Sequence, residues 1–128
     1  MTTYYSDSSI VIRSMKKEDA KIFYDTYVTY GWHPSMETYE NYYKEQDAGT
    51  RKVFIAEYNG KVAGICTLVL NPTEGPWGGQ GYPEIVDLCV FFHIHKAGIG
   101  SKLTLKTTFM VYLRIYYDRR VCIFRRTL

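Results

Sequence analysis

Long apolar runs are missing from this 128-residue chain: no stretch approaches the roughly 18 consecutive apolar residues that a membrane-spanning helix needs. The first nine residues have neither a positively charged region nor an apolar core, so neither a secretory leader nor a membrane protein is expected. Cysteine is scarce and odd in number. Cys66, Cys89 and Cys122 stand far apart, and two of them lie inside apolar runs. That argues against a disulfide framework or a zinc knuckle and fits reduced core thiols in a cytoplasmic protein. His93 and His95 are spaced like a metal-binding pair, but no Cys or carboxylate stands at ligand spacing from them, so no metal is expected.

What is present is ample apolar and aromatic content for one core, and a chain of this size holds one domain. A single domain over 1–128 is expected. Its charge is uneven. Through residue 100 there are nine Lys and Arg against twelve Asp and Glu, a net −3; beyond it there are seven against one, a net +6. The basic residues of the tail, among them Arg119, Arg120, Arg125 and Arg126, alternate with large apolar ones and follow no helical face. A basic arm for nucleic acid would be built from such residues, but their interleaving with apolar side chains counts against that use.

The order of elements can be read from pattern. Residues 10–13 are a β-branched run suited to an opening strand. From Lys16 to Thr29, Ala20, Phe23, Tyr27 and Tyr30 recur at helical spacing, which predicts an amphipathic helix ending near Gly31. A second helix is expected after Pro34, with Ser35 as N-cap, Glu37 in the first turn and Gly49 closing it. Asn59-Gly60 between the apolar runs 53–58 and 61–70 predicts a hairpin with a type I′ turn. Residues 71–82 are crowded with Gly and Pro and form an irregular loop. Residues 83–92 then read as a near-continuous apolar strand, buried on both faces.

The segment after that strand carries the most information. His95-Lys96-Ala97-Gly98-Ile99-Gly100-Ser101 is a glycine-bearing loop that opens a helix. Free backbone N–H groups at a helix N-terminus converge on one point where the helix dipole also favours negative charge, so the loop suits a pyrophosphate. Here the chain resembles the GNAT superfamily of acetyl-CoA-dependent N-acetyltransferases, whose phosphate loop has the form Arg/Gln-x-x-Gly-x-Gly/Ala after a strand. Gly98 and Gly100 match; His95 departs from the pattern. The order strand, helix, helix, three strands, loop, helix is also that of the GNAT N-terminal half, and the resemblance covers residues 1–103. Residues 104–128 form an atypical basic tail, read here as two short strands (around 111–116 and 121–124). The further strands and the helix that usually complete the family's acceptor site have no counterpart in it. The fold class implied is α/β (α+β): a mixed, mostly antiparallel sheet flanked by helices, with its C-terminal part shortened.

The resemblance implies a reaction with a definite electrostatic problem. A lysine-like ammonium of pKa about 10.4 is neutral only about once in 2,500 molecules at pH 7, a cost of about 4.6 kcal/mol before any attack on a thioester. A positioned base is needed. Glu84 is the candidate, because it starts the strand eleven residues before His95, a spacing similar to that of the catalytic glutamate in the histone-acetyltransferase branch. Asp87 is the second choice; strand alternation places it on the face opposite Glu84, in a structural role.

For acetyl-CoA, the resemblance implies that backbone groups near Leu88 and Val90 pair with the pantetheine arm. N–H groups from His95 or Lys96 through Ala97, Gly98, Ile99, Gly100 and Ser101 would hold the pyrophosphate, the two glycines allowing close approach. Where the family has Arg or Gln, His95 is charged only below about pH 6.5, so affinity should rise as pH falls. Tyr24, Tyr27, Tyr30, Trp32, Tyr39, Tyr42 and Tyr43 crowd the two helices, mainly as packing, and Trp77 sits in the loop, placed to gate the site. The activity implied is transfer of an acetyl group from acetyl-CoA to a primary amine on a small molecule or peptide. The alternative is a catalytically inactive acyl-CoA-binding fragment or an interaction module. A short C-terminal part would leave a sheet edge open, so a homodimer through that edge is a further expectation.

Overall fold

The computed structural model describes residues 1–73, 78–79, 83–91 and 102, together with the backbone of 123–124. Eight elements follow in order: β1 (Thr3–Ser6), β2 (Ile10–Ser14), α1 (Asp19–Thr29), α2 (Met36–Ala48), β3 (Arg51–Tyr58), β4 (Lys61–Val69), β5 (Glu84–Val90) and β6 (Ile123–Phe124). The six strands form one sheet in sequence order. Neighbours from β1 to β5 are antiparallel, and β6 runs parallel to β5 at Glu84 and Ile85. This is the mostly antiparallel α/β architecture expected.

Local chemistry explains most boundaries. Asn59 and Gly60 both have positive φ, at 50° and 80°, which is the pair a type I′ turn requires between β3 and β4. Gly49 ends α2 with φ at 82°; its N–H donates to the Gln46 carbonyl and that of Thr50 to the Glu45 carbonyl. Ser35 occupies the N-cap of α2, but its side chain makes no capping hydrogen bond. The first helix starts three residues later than its apolar pattern predicts. Asp19 is the cause: its carboxylate accepts from the Lys16 N–H at 2.7 Å and takes both terminal nitrogens of Arg13, fixing 16–18 as a turn.

β1 was not expected, and its four residues pair with β2 through a turn in which the Asp7 carboxylate accepts from the Ser9 and Ile10 N–H groups. The hydrogen bond donated by Tyr5, and after it those from the Ile10 and Ser9 N–H groups, hold the Asp7 pKa down, at about 2. Lys102 donates to the Tyr5 hydroxyl at 2.8 Å.

The two faces of the sheet carry separate cores. On one, Ile10, Ile12, Phe54, Cys66, Leu68 and Ile85 are buried together. On the other, Phe23 and Tyr27 of α1 and Tyr42 of α2 pack on Val53, Ile55, Ile65 and Phe91. Phe23 is wholly buried, and truncating such a side chain to alanine costs about 3–5 kcal/mol.

The fifth strand differs from expectation in one respect that matters for the site. Pairing between β4 and β5 runs Val69 with Glu84, Leu68 with Ile85 and Thr67 with Val86, then resumes at Ile65 with Cys89. Asp87 and Leu88 therefore oppose Cys66 alone. This is a β-bulge, and Asp87 within it has φ at 59°, in the left-handed region. One extra residue reverses the alternation that follows. Leu88 and Val90 turn to the face of Ile85, while Cys89 and Phe91 turn to the helices. The strand is buried through Val86 and only half-buried beyond it, not covered along its whole length.

Candidate active site

Glu84 opens β5 and is 6 % exposed. It pairs with Val69, which pairs in turn with Arg51, and paired residues share a face, so Glu84 lies on the helical side of the sheet. It lines a cleft of about 460 Å³ with Glu45, Thr50, Arg51, Val69, Asn71, Pro72 and Thr73. The C-terminal turn of α2, the start of β3 and the end of β4 thus converge on it.

Arg51 organises this cleft. Its guanidinium lies over the Tyr42 ring, 4.4 Å from the centroid, and donates to Glu45 and, at 2.8 Å, to the Thr67 hydroxyl. Thr67 is fully buried and donates in turn to the Val86 carbonyl at 2.7 Å. A continuous chain of hydrogen bonds therefore runs from α2 to the residue just before the bulge. Sequence reasoning missed Arg51 and Thr67. The available signal was alternation: it assigns Arg51 and Thr67 to the face of Val53, and a polar residue at a core position must have partners.

Asp87 sits in the bulge, where strand alternation no longer assigns a face, and its charge acts on Tyr27, Tyr39 and Cys89. Burial, and then the Asp87 and Cys89 charges, push the Tyr39 phenol up to about 12. The Tyr27 phenol rises further: burial is the main cause, followed by the hydrogen bond its hydroxyl donates to Cys89. The Cys89 thiol is also raised, mainly by burial, with Asp87 adding to it. At neutral pH all three stay protonated, so they can donate hydrogen bonds beside the bulge but cannot act as bases.

The helix aromatics are packed as expected and also line this side of β5. Tyr27 stacks on Trp32 with centroids 5.1 Å apart and meets Phe91 edge-on at 5.7 Å, while Phe23 stacks on Tyr39 at 5.9 Å. Trp32 remains 41 % exposed at the rim.

Leu88 and Val90 stand on β5 past the bulge, half-buried against the face opposite the helices. β6 pairs with β5 only at Glu84 and Ile85, and no other described strand lies along that edge from Val86 to Val90. An extended thioester arm needs such an edge, so the strand fits acetyl-CoA to that extent. The residues expected to hold phosphate, His95, Lys96, Ala97, Gly98, Ile99, Gly100 and Ser101, lie outside the described residues, as do His93, Trp77 and the basic side chains of the tail beyond Lys102. Among the described residues there is no cluster of metal-ligating side chains, and no helix is long and apolar enough to cross a membrane.

Comparison with known proteins fits this geometry. The sequence model of the acetyltransferase (GNAT) family matches residues 13–108, and the chain belongs to that family. No curated protein matches it in sequence. Among solved structures it is similar to RimL, the ribosomal L7/L12 alpha-N-protein acetyltransferase, with a TM-score of 0.66 at 11% identity over 88% of this chain and 65% of that one. An N-acetyltransferase from Staphylococcus aureus Mu50 gives 0.65 at 20% identity over 84% and 68%. The ribosomal-protein-alanine N-acetyltransferase from Brucella melitensis biovar Abortus 2308 gives 0.62 at 14% over 93% and 81%. At these identities the likeness is one of fold, and the chain spans just under two thirds of the length of RimL.

Proposed function

We propose that this protein is an N-acetyltransferase that moves an acetyl group from acetyl-CoA to a primary amine, with Glu84 as the base. The observation that carries the reading is the bulged β5 in a GNAT chain: a buried carboxylate at its start and an edge free of described strands past its bulge. Acetyl-CoA, when bound, supplies the activated acyl group. Backbone groups near Leu88 and Val90 would pair with its pantetheine arm. The backbone from His95 or Lys96 through Ser101 would hold its pyrophosphate, because Gly98 and Gly100 remove the Cβ atoms that would block approach.

Glu84 would take the ammonium proton, directly or through one water, a contribution of roughly a hundred- to ten-thousandfold in rate. The cleft beside it carries two carboxylates, Glu84 and Glu45, against one guanidinium, which favours a cationic acceptor. RimL has been solved in complex with coenzyme A, and its name specifies a protein α-amine, so a peptide N-terminus heads the acceptors to be screened. A cytoplasmic setting belongs to the same reading and is supported by Cys66 and Cys89, which are present as thiols. The test is acetyl transfer from acetyl-CoA to a panel of peptide α-amines, lysine peptides and polyamines. Turnover by the wild type that falls about a hundredfold or more in Glu84→Gln is expected. Equal turnover in the two would refute Glu84 as the base.

A further inference from the structure

We propose that Thr67, backed by Arg51, is the positioning residue that sets the β5 bulge and thereby aims the strand edge used for acyl-CoA; the functional half of this rests on the acetyltransferase reading.

A bulge needs a cause that fixes it at one residue, because register along an otherwise apolar strand is free to slip. Here the cause is visible. Thr67 is paired directly with Val86, and the Thr67 hydroxyl donates to the Val86 carbonyl at 2.7 Å. The next residue, Asp87, is the one with φ at 59°. The hydroxyl has a single proton, and its direction is fixed from behind: Arg51 donates to the Thr67 oxygen at 2.8 Å, leaving the Thr67 proton to point at Val86. Arg51 is itself held by Glu45 of α2 and by the Tyr42 ring.

The Thr67 hydroxyl is sealed from water, since Thr67 has no exposed surface. A buried hydroxyl that lost its acceptor would be costly, so slipping the bulge by one residue would be opposed by loss of the Thr67–Val86 hydrogen bond. Past the bulge, the facing of Leu88 and Val90 depends on the extra residue staying where it is. The apolar side chains alone do not specify the position, because Ile85, Val86, Leu88 and Val90 would suit either face. Thr67 is the polar residue that breaks that tie.

The experiment compares Thr67→Val, which keeps the shape and removes the hydroxyl, with Thr67→Ser, which keeps the hydroxyl. Two quantities are read: the Cα and Cβ chemical shifts of Asp87 in the free protein, which report its left-handed backbone, and the calorimetric dissociation constant for acetyl-CoA. Thr67→Val is expected to move the Asp87 shifts toward strand values and to raise the dissociation constant on the order of tenfold, the effect of one buried hydrogen bond. Thr67→Ser restores both. Ile12→Val, a core truncation in β2, lowers stability but moves neither. If Thr67→Val does not fold, Arg51→Gln at the more exposed end of the relay, 13 % exposed, gives the same displacement of the Asp87 shifts. Unchanged Asp87 shifts in Thr67→Val, or in Arg51→Gln where that variant is read, would overturn the proposal, as would failure of Thr67→Ser to restore them. A wild type that does not bind acetyl-CoA would refute the acetyltransferase reading instead, while the Asp87 shifts would still decide the role of Thr67.

Discussion

Arg13 is the residue whose loss should hurt the fold most for its size. Its guanidinium donates to the two Asp19 oxygens at 2.7 and 3.0 Å, to Glu57, and to the Ser14 carbonyl at 3.0 Å. The Arg13 and Asp19 side chains are only 4 % and 1 % exposed. Burial opposes the Arg13 charge, and the two carboxylates more than offset it, so its pKa ends above the ordinary value. Arg13→Met keeps the apolar stem and removes every one of these donors, leaving the Asp19 carboxylate with the Lys16 N–H. Breaking a buried pair from one side costs about 3–5 kcal/mol, against a total stability of about 5–15 kcal/mol for a domain. At roughly 3–4 °C per kcal/mol for a chain of this length, the melting temperature should fall by about 10–20 °C. Urea unfolding of Arg13→Met, Asp19→Ala and the double variant provides the assay. The double should lose less than the sum of the singles by about 2 kcal/mol or more, because the second substitution removes the orphaned charge. A cost below about 1 kcal/mol for Arg13→Met, or strict additivity, would refute the reasoning.

Asp87→Val should cost about 1–2 kcal/mol more than Asp87→Gly, since a β-branched residue resists positive φ and glycine does not; equal urea midpoints would contradict the left-handed geometry. Both variants should lower the Tyr39 pKa from about 12, by removing the charge that helps to raise it, and spectrophotometric titration reads this. Tyr27 and Tyr39 have folded pKa values above that of an unfolded phenol, so their contribution is complete below about pH 10 and is lost as pH rises from there toward the folded values. Urea midpoints should therefore fall between pH 10 and 12, less steeply in Tyr27→Phe, and a slope unaltered by that substitution would count against the buried phenol. For His95, acetyl-CoA affinity should rise as pH drops through about 6.5, and His95→Arg should bind more tightly at pH 7.5 and lose the pH dependence; equal or weaker binding there would show that His95 does not meet phosphate.

What the sequence disclosed and what it concealed follow from where the controlling chemistry lies. Asn59-Gly60 and Gly49 are local signals, because the φ values they permit are properties of the residues themselves, and both turns formed where they were expected. Asp19, in contrast, starts α1 late through a partner six residues away in β2, which helical periodicity does not register. β1 was hidden because Thr3–Ser6 is short and half polar, and its tie to β2 depends on the Asp7 turn. Glu84 was found as a strand-initial carboxylate, but its setting among Arg51, Glu45 and Thr50 arises from elements that meet only after folding. The bulge was the largest omission. Period-two reading assumes an unbroken ladder, so it does not apply at Asp87 and could not anticipate that Leu88 and Val90 turn away from the helices.

The central proposal is that residues 95–101, after β5, hold the pyrophosphate of acetyl-CoA. Calorimetric titration of the full chain with acetyl-CoA, beside a Gly98→Glu variant that introduces bulk and negative charge into that segment, tests it most directly. Saturable one-to-one binding by the wild type, lost in a folded Gly98→Glu protein, is the predicted result. No binding by a folded wild type, or equal binding by the variant, would contradict it.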